Sequence, residues 1–138
     1  MNAIEALLKT DTAKLTELPT KTFELPRLSK VTGTKFNITV SAIPGELMND
    51  IMTGHVTYTK HGRVKDGNAY ETGLDLVVNG LKEPNLRDKK LLEHLGVTTP
   101  KQVAEKLFLP GELGKIASAV NDLCGVTSQA EVDETVKN

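Results

Sequence analysis

The sequence predicts an α+β fold: a small N-terminal antiparallel β-hairpin or sheet, then a cluster of about four to five helices covering it. Three observations predict this. Residues 21–43 alternate apolar and polar positions, whereas residues 69–125 place apolar residues at helical spacing. Proline and glycine mark the boundaries between these stretches. The chain has 138 residues, enough for one domain that buries about two-thirds of its unfolded surface. The organisation expected is a partly flexible lead-in (1–20), a single domain (21–125) and a polar C-terminal tail (126–138).

In order along the chain, "NAIEALLKT" predicts a short helix with Ile4, Leu7 and Leu8 on one face, and residues 10–20 read as a linker. "KTFELPRL" and "KFNITVSAI" read as two strands. Phe36, Ile38 and Val40 face one way and Asn37, Thr39 and Ser41 the other. "SKVTGT" between them suits a hairpin turn, and Pro26 places the first strand at a sheet edge. At Pro44 the spacing becomes helical through Leu47, Met48, Ile51 and Met52, with Gly54 as a stop. "HVTYTKHGRVKDGNAYE" reads as a mobile basic excursion, a weak hairpin with Asp66-Gly67 as its turn pair. Tyr70, Leu74, Val77, Val78 and Leu81 predict a further helix. "EPNLRD" breaks it, and "RDKKLLEHLG" makes a short helix ended by Gly96. Thr99 caps a helix begun by Pro100. The last helix carries Leu113, Ile116, Ala117, Val120, Leu123 and Cys124 as one apolar stripe.

The word "PGEL" occurs at Pro44–Leu47 and again at Pro110–Leu113. Proline presets the first helical φ, glutamate in the first turn suits the helix dipole, and leucine starts the buried face. Glycine permits close approach of a neighbouring backbone. The flanks of the two words differ, so they share a local cause and mark no repeat.

Composition excludes several functional classes. Lys plus Arg number 17 and Asp plus Glu 18, a net charge of −1, which argues against nucleic acid as a partner. A single cysteine forms no internal disulfide. The sequence opens on no charged-then-apolar leader and contains no run long enough to span a bilayer, which predicts a cytoplasmic protein without a membrane partner. Cys124 lies on an apolar stripe, where a small buried residue is the ordinary reading. His55, His61 and His94 lack metal-ligand spacing. Asp66, Glu71 and Asp75 read as a helix entry and its polar face, not as a catalytic pair with split pKa values. No phosphate-binding glycine loop occurs. No enzyme, metal or cofactor is expected.

One alternative is a helix-turn-helix DNA-binding regulator over residues 89–107, whose second helix would offer Thr98, Thr99, Lys101, Gln102 and Lys106 to bases. As a protein-binding surface, the sequence offers Leu47, Met48 and Met52, since methionine adapts to varied partners. The cations Lys60, Arg63 and Lys65 would suit an acidic surface.

The helical half carries an ordered set of words: Pro84 and Leu86, then Gly96 and Val97, then Leu107, Leu109, Pro110, Gly111 and Glu112. In that order they resemble the C-terminal region of the XkdN-like phage tail assembly chaperones. The likeness extends over roughly residues 21–125, with the basic loop less charged than in the family. It implies a phage- or prophage-encoded protein of contractile-tailed phages. Such a protein holds the tape measure protein soluble, assists tail tube formation around it, and leaves before the tail matures. The implied place of action is the cytoplasm of the bacterial host, not the mature virion. The implied partners are the tape measure protein and the tail tube protein, with a homo-oligomer compatible. The motif residues read as structural.

Overall fold

The computed structural model describes residues 2–54, 56–58, 64–67 and 69–126, with backbone alone for 56–58 and 64–67. In chain order it contains α1 (Ala3–Lys9), α2 (Thr12–Thr16), β1 (Thr20–Glu24), α3 (Pro26–Thr32), β2 (Asn37–Ser41), α4 (Gly45–Gly54), β3 (Val56–Tyr58), β4 (Val64–Gly67), α5 (Ala69–Gly80), β5 (Leu81–Glu83), α6 (Lys89–Leu95), α7 (Pro100–Leu107) and α8 (Pro110–Leu123).

This is a helix-rich α+β arrangement, and it corrects the expected order of a hairpin followed by four to five helices. Two helices precede the sheet, a third separates its first two strands, and eight helices are present among the described residues. The connection between β1 and β2 is α3, not a hairpin turn. Pro26 occupies its first helical position, and Gly33, at φ 77°, caps its end. Helix punctuation at both ends overrides the turn-like composition of "SKVTGT". Pro26 therefore lies outside the strand, although β1 is a sheet edge. Residues 12–16, read as linker, form α2 with Asp11 as N-cap.

The main sheet runs β1-β2-β5 with both pairings antiparallel. β1 and β2 pair from Thr20↔Ser41 to Glu24↔Asn37. The amide of Ala42 donates to the Pro19 carbonyl and that of Leu25 to the Phe36 carbonyl, closing the ladder at both ends. Ile38 and Val40 are fully buried. On the opposite face, the Thr22 and Thr39 hydroxyls meet across the strands at 3.0 Å, as period-two alternation requires. Ser41 departs from that alternation: it is buried, and its hydroxyl donates to the Ala42 carbonyl.

β5 completes the sheet where a helix end was expected. Three residues are too few to show alternation, so Leu81 reads equally well as the last turn of α5. β3 and β4 form a separate antiparallel pair, Val56↔Gly67 to Tyr58↔Val64. Asp66 and Gly67 lie inside β4 and are not the turn pair expected of them.

The core lies between the sheet and α5, α7 and α8. Leu74 and Val77 of α5, Val103 of α7, and Ile116 and Val120 of α8 are fully buried against Ile38 and Val40. Each such side chain contributes about 1.5–3 kcal/mol by leaving water. α5 is the central helix, packed on α4, α7 and α8. Gly80 explains how α5, β2 and α8 meet so closely. A Cβ there would collide with Val120 Cγ2 and lie 3.3 Å from the Ser41 carbonyl oxygen.

Candidate partner-binding surfaces

α1 and α2 form an N-terminal arm with no buried residue. Its helices are locally encoded: the Asn2 side chain accepts from the Glu5 amide at 2.9 Å, and Asp11 from the Ala13 amide at 3.2 Å. Ile4, Leu7 and Leu8 form an exposed stripe, with Leu8 at 80% and Ile4 at 64% of full exposure. Leu15 and Leu18 extend the apolar surface. Helices of seven and five residues are marginal alone in water.

Among the described residues, two of the grooves on the folded body are as follows. One, of about 420 Å³, runs between the β1 edge and α8 and is lined by Lys21, Phe23, Lys115, Ser118, Ala119 and Asp122. The ammonium groups of Lys115 and Lys21 lie 5.2 and 5.8 Å from the centre of the Phe23 ring, within cation–π range. The other, of about 210 Å³, lies between α5 and the start of α8, with Tyr70, Gly73, Leu74, Pro110, Leu113 and Gly114 on its walls.

The partner-binding residues expected from sequence divide into two sets. Leu47, Met48 and Met52 are half-buried on α4 and pack against the core with one side. Lys60 and Arg63 lie outside the described residues, and Lys65 is described by backbone alone within β4. His55 and His61 also lie outside them, while His94 is exposed on α6. Among the described residues no three potential ligands gather as a metal site. No described helix is long and apolar enough to cross a membrane. Cys124 is partly buried, and its Sγ accepts from the Ile43 amide at 3.3 Å, tying the end of α8 to the strand–helix junction before α4.

The proposed base-reading side chains of α7 are engaged within the chain. Gln102 Oε1 accepts from the Thr98 amide, the Thr98 hydroxyl and the Thr99 amide at 2.9–3.1 Å. The Gln102 amide donates to Thr99 Oγ1, completing a capping box. Lys101 pairs with Glu71 of α5, and Lys106 donates to the Leu95 carbonyl at 2.7 Å. The hydrogen bond to Glu71 raises the Lys101 pKa against the opposing effect of burial. These contacts join α7 to α5 and α6.

The second PGEL word forms a corner. Glu112 Oε1 accepts from the Leu109 amide at 2.8 Å, capping α8. It also accepts from Arg27 Nε at 3.1 Å and Nη2 at 2.8 Å. The same Nη2 donates to the Leu107 carbonyl at 2.7 Å. Arg27 of α3 thereby holds both ends of the α7–α8 link. Burial raises the Glu112 pKa, but the Arg27 and Leu109 hydrogen bonds and the Arg27 charge outweigh it and hold the carboxyl below its usual range. Arg27 escaped the sequence reading because its partner lies 85 residues away and no local pattern joins them.

The comparison that bears on identity is with protein families. A family described as "Phage XkdN-like tail assembly chaperone protein, TAC" matches residues 4–137. The chain belongs to that family. The tail assembly chaperone match includes the N-terminal arm, which the sequence resemblance did not reach. No curated protein matches the chain. The crystal structure of the protein yqbn superposes with a TM-score of 0.56 at 14% identity, covering 84% of this chain and 96% of that one. At that identity the likeness shows a shared fold alone.

The family words can now be placed on this tail assembly chaperone. Pro84 follows β5 after a cis peptide bond, and Leu86 is buried in the core. Gly96 caps α6 at φ 70°, a left-handed conformation that favours glycine. Val97 and Leu107 pack against the core, while Leu109 is half-exposed. Pro110 starts α8. A Cβ at Gly111 would meet nothing within 4 Å, so this glycine serves no close approach. Glu112 is the clamp.

Proposed function

We propose that this tail assembly chaperone acts without catalysis in the cytoplasm of the bacterial host. It binds the tape measure protein, keeps it soluble while tail tube subunits assemble around it, and leaves before the tail matures. The observation that carries this reading is the family match over residues 4–137. The exposed apolar arm supports it. A chaperone for a helical, aggregation-prone client needs apolar surface that its own core does not consume, and amphipathic helices supply such surface at i, i+3 and i+4 positions. Ile4, Leu7 and Leu8 have that spacing and exposure. The half-buried Leu47, Met48 and Met52 of α4 would widen the apolar contact, with Lys60, Arg63 and Lys65 meeting acidic client residues.

The test is co-purification with the tape measure protein of the same genome. Wild-type chaperone is expected to retain it on an affinity column, and the Leu7→Glu/Leu8→Glu variant to retain much less. Equal recovery with both proteins refutes the arm as client surface. No recovery with either refutes the client assignment.

A further inference from the structure

We propose that the α1 face of one copy docks in the β1–α8 groove of a second copy, reciprocally, so that two chains exchange their N-terminal arms. Each half of this contact is present and unfilled. α1 has a satisfied N-cap and an apolar stripe of Ile4, Leu7 and Leu8, but no buried residue. The groove has an apolar floor in Phe23 and Ala119, flanked by Lys21 and Lys115 and bounded by Asp122. Among the described residues neither lysine has a carboxylate partner.

The charges select an orientation. On α1, Glu5 precedes Lys9 by one turn, about 6 Å along the axis; on α8, Lys115 precedes Asp122 by about 10 Å. Long side chains cover the difference. With α1 parallel to α8, Glu5 meets Lys115 and Lys9 meets Asp122, while the apolar stripe lies on Phe23 and Ala119. The reverse direction would oppose like charges. The occupant is a second copy, whose Glu5, Lys9 and apolar stripe complement Lys115, Asp122 and Phe23 of the groove. A twofold axis fills both grooves and covers both arms. The exchange does not depend on the client's identity; it keeps the apolar stripe out of water when no client is present.

Sedimentation equilibrium of the full chain without client tests this directly. Wild type is expected at twice its 15.0 kDa mass. Leu8→Glu, Glu5→Lys and Lys115→Glu alter exposed positions, so circular dichroism should remain that of the wild type. Each should raise the dimer dissociation constant about tenfold or more. The Glu5→Lys/Lys115→Glu double variant should recover association relative to either charge variant alone. A monomeric wild type, a dimer indifferent to any single variant, or a double variant no better than its parents overturns the proposal.

Discussion

Glu112 shows how much one carboxylate can organise. It caps α8 and receives a guanidinium from α3, so Glu112→Gln should weaken the corner while nearly preserving its shape. Charge-assisted hydrogen bonds contribute about 1.5–3 kcal/mol. The Arg27 side chain is 37% exposed, and solvent screening lowers the expected loss to about 1–2 kcal/mol. The pH dependence follows from the depressed pKa. Stabilisation by Glu112 is complete above the ordinary carboxylate range and disappears as pH falls through the lower folded-state value. Urea unfolding of wild type and Glu112→Gln should therefore differ at neutral pH and converge in acid.

Gly80 makes the opposite point, that a missing side chain can be required. Alanine is the better helix former by about 1 kcal/mol, but its methyl would meet Val120 and the Ser41 carbonyl. Gly80→Ala should cost about 1–3 kcal/mol through overpacking. In a double-mutant cycle, Val120→Ala should relieve part of that cost. Independent, additive losses would contradict the contact.

Among the elements, those with complete local signals were legible in the sequence. α7 has Pro100, the Thr99 cap and Gln102 three residues on. α6 ends at Gly96 and α8 begins at Pro110. β2 shows its alternation through Ile38 and Val40. Thr99→Ala should remove the Oγ acceptor of the α7 capping box and cost about 0.5–2 kcal/mol in thermal or urea unfolding. The same variant leaves the α6 cap at Asp88 intact.

The elements that were misread each lack such a signal or carry a competing one. α3 is bracketed by Pro26 and Gly33, but those residues also suit a strand edge and a turn. β5 spans only Leu81–Glu83 and continues the apolar spacing of α5. α2 has five residues and buries none, so no periodicity reveals it. The groove between β1 and α8 was illegible for another reason. Lys21 and Lys115 are distant in sequence, and only the sheet brings them to one phenyl ring.

For the whole molecule, the architecture separates a buried core from an exposed apolar arm. The sheet, α5, α7 and α8 hold most of the large buried side chains. The arm, with its caps intact, consumes none and presents five of the large exposed apolar residues: Ile4, Leu7, Leu8, Leu15 and Leu18. Such a division suits a chaperone, which must bind apolar clients without loosening its own core. The family words are mostly core and corner residues, so they identify the fold more than the contact surface.

The most direct measurement is the soluble fraction of the tape measure protein of the same genome, when expressed with and without this chaperone. Soluble tape measure protein in complex with the chaperone, and aggregated protein in its absence, is the predicted result. An unchanged soluble fraction with no recoverable complex would contradict the central claim.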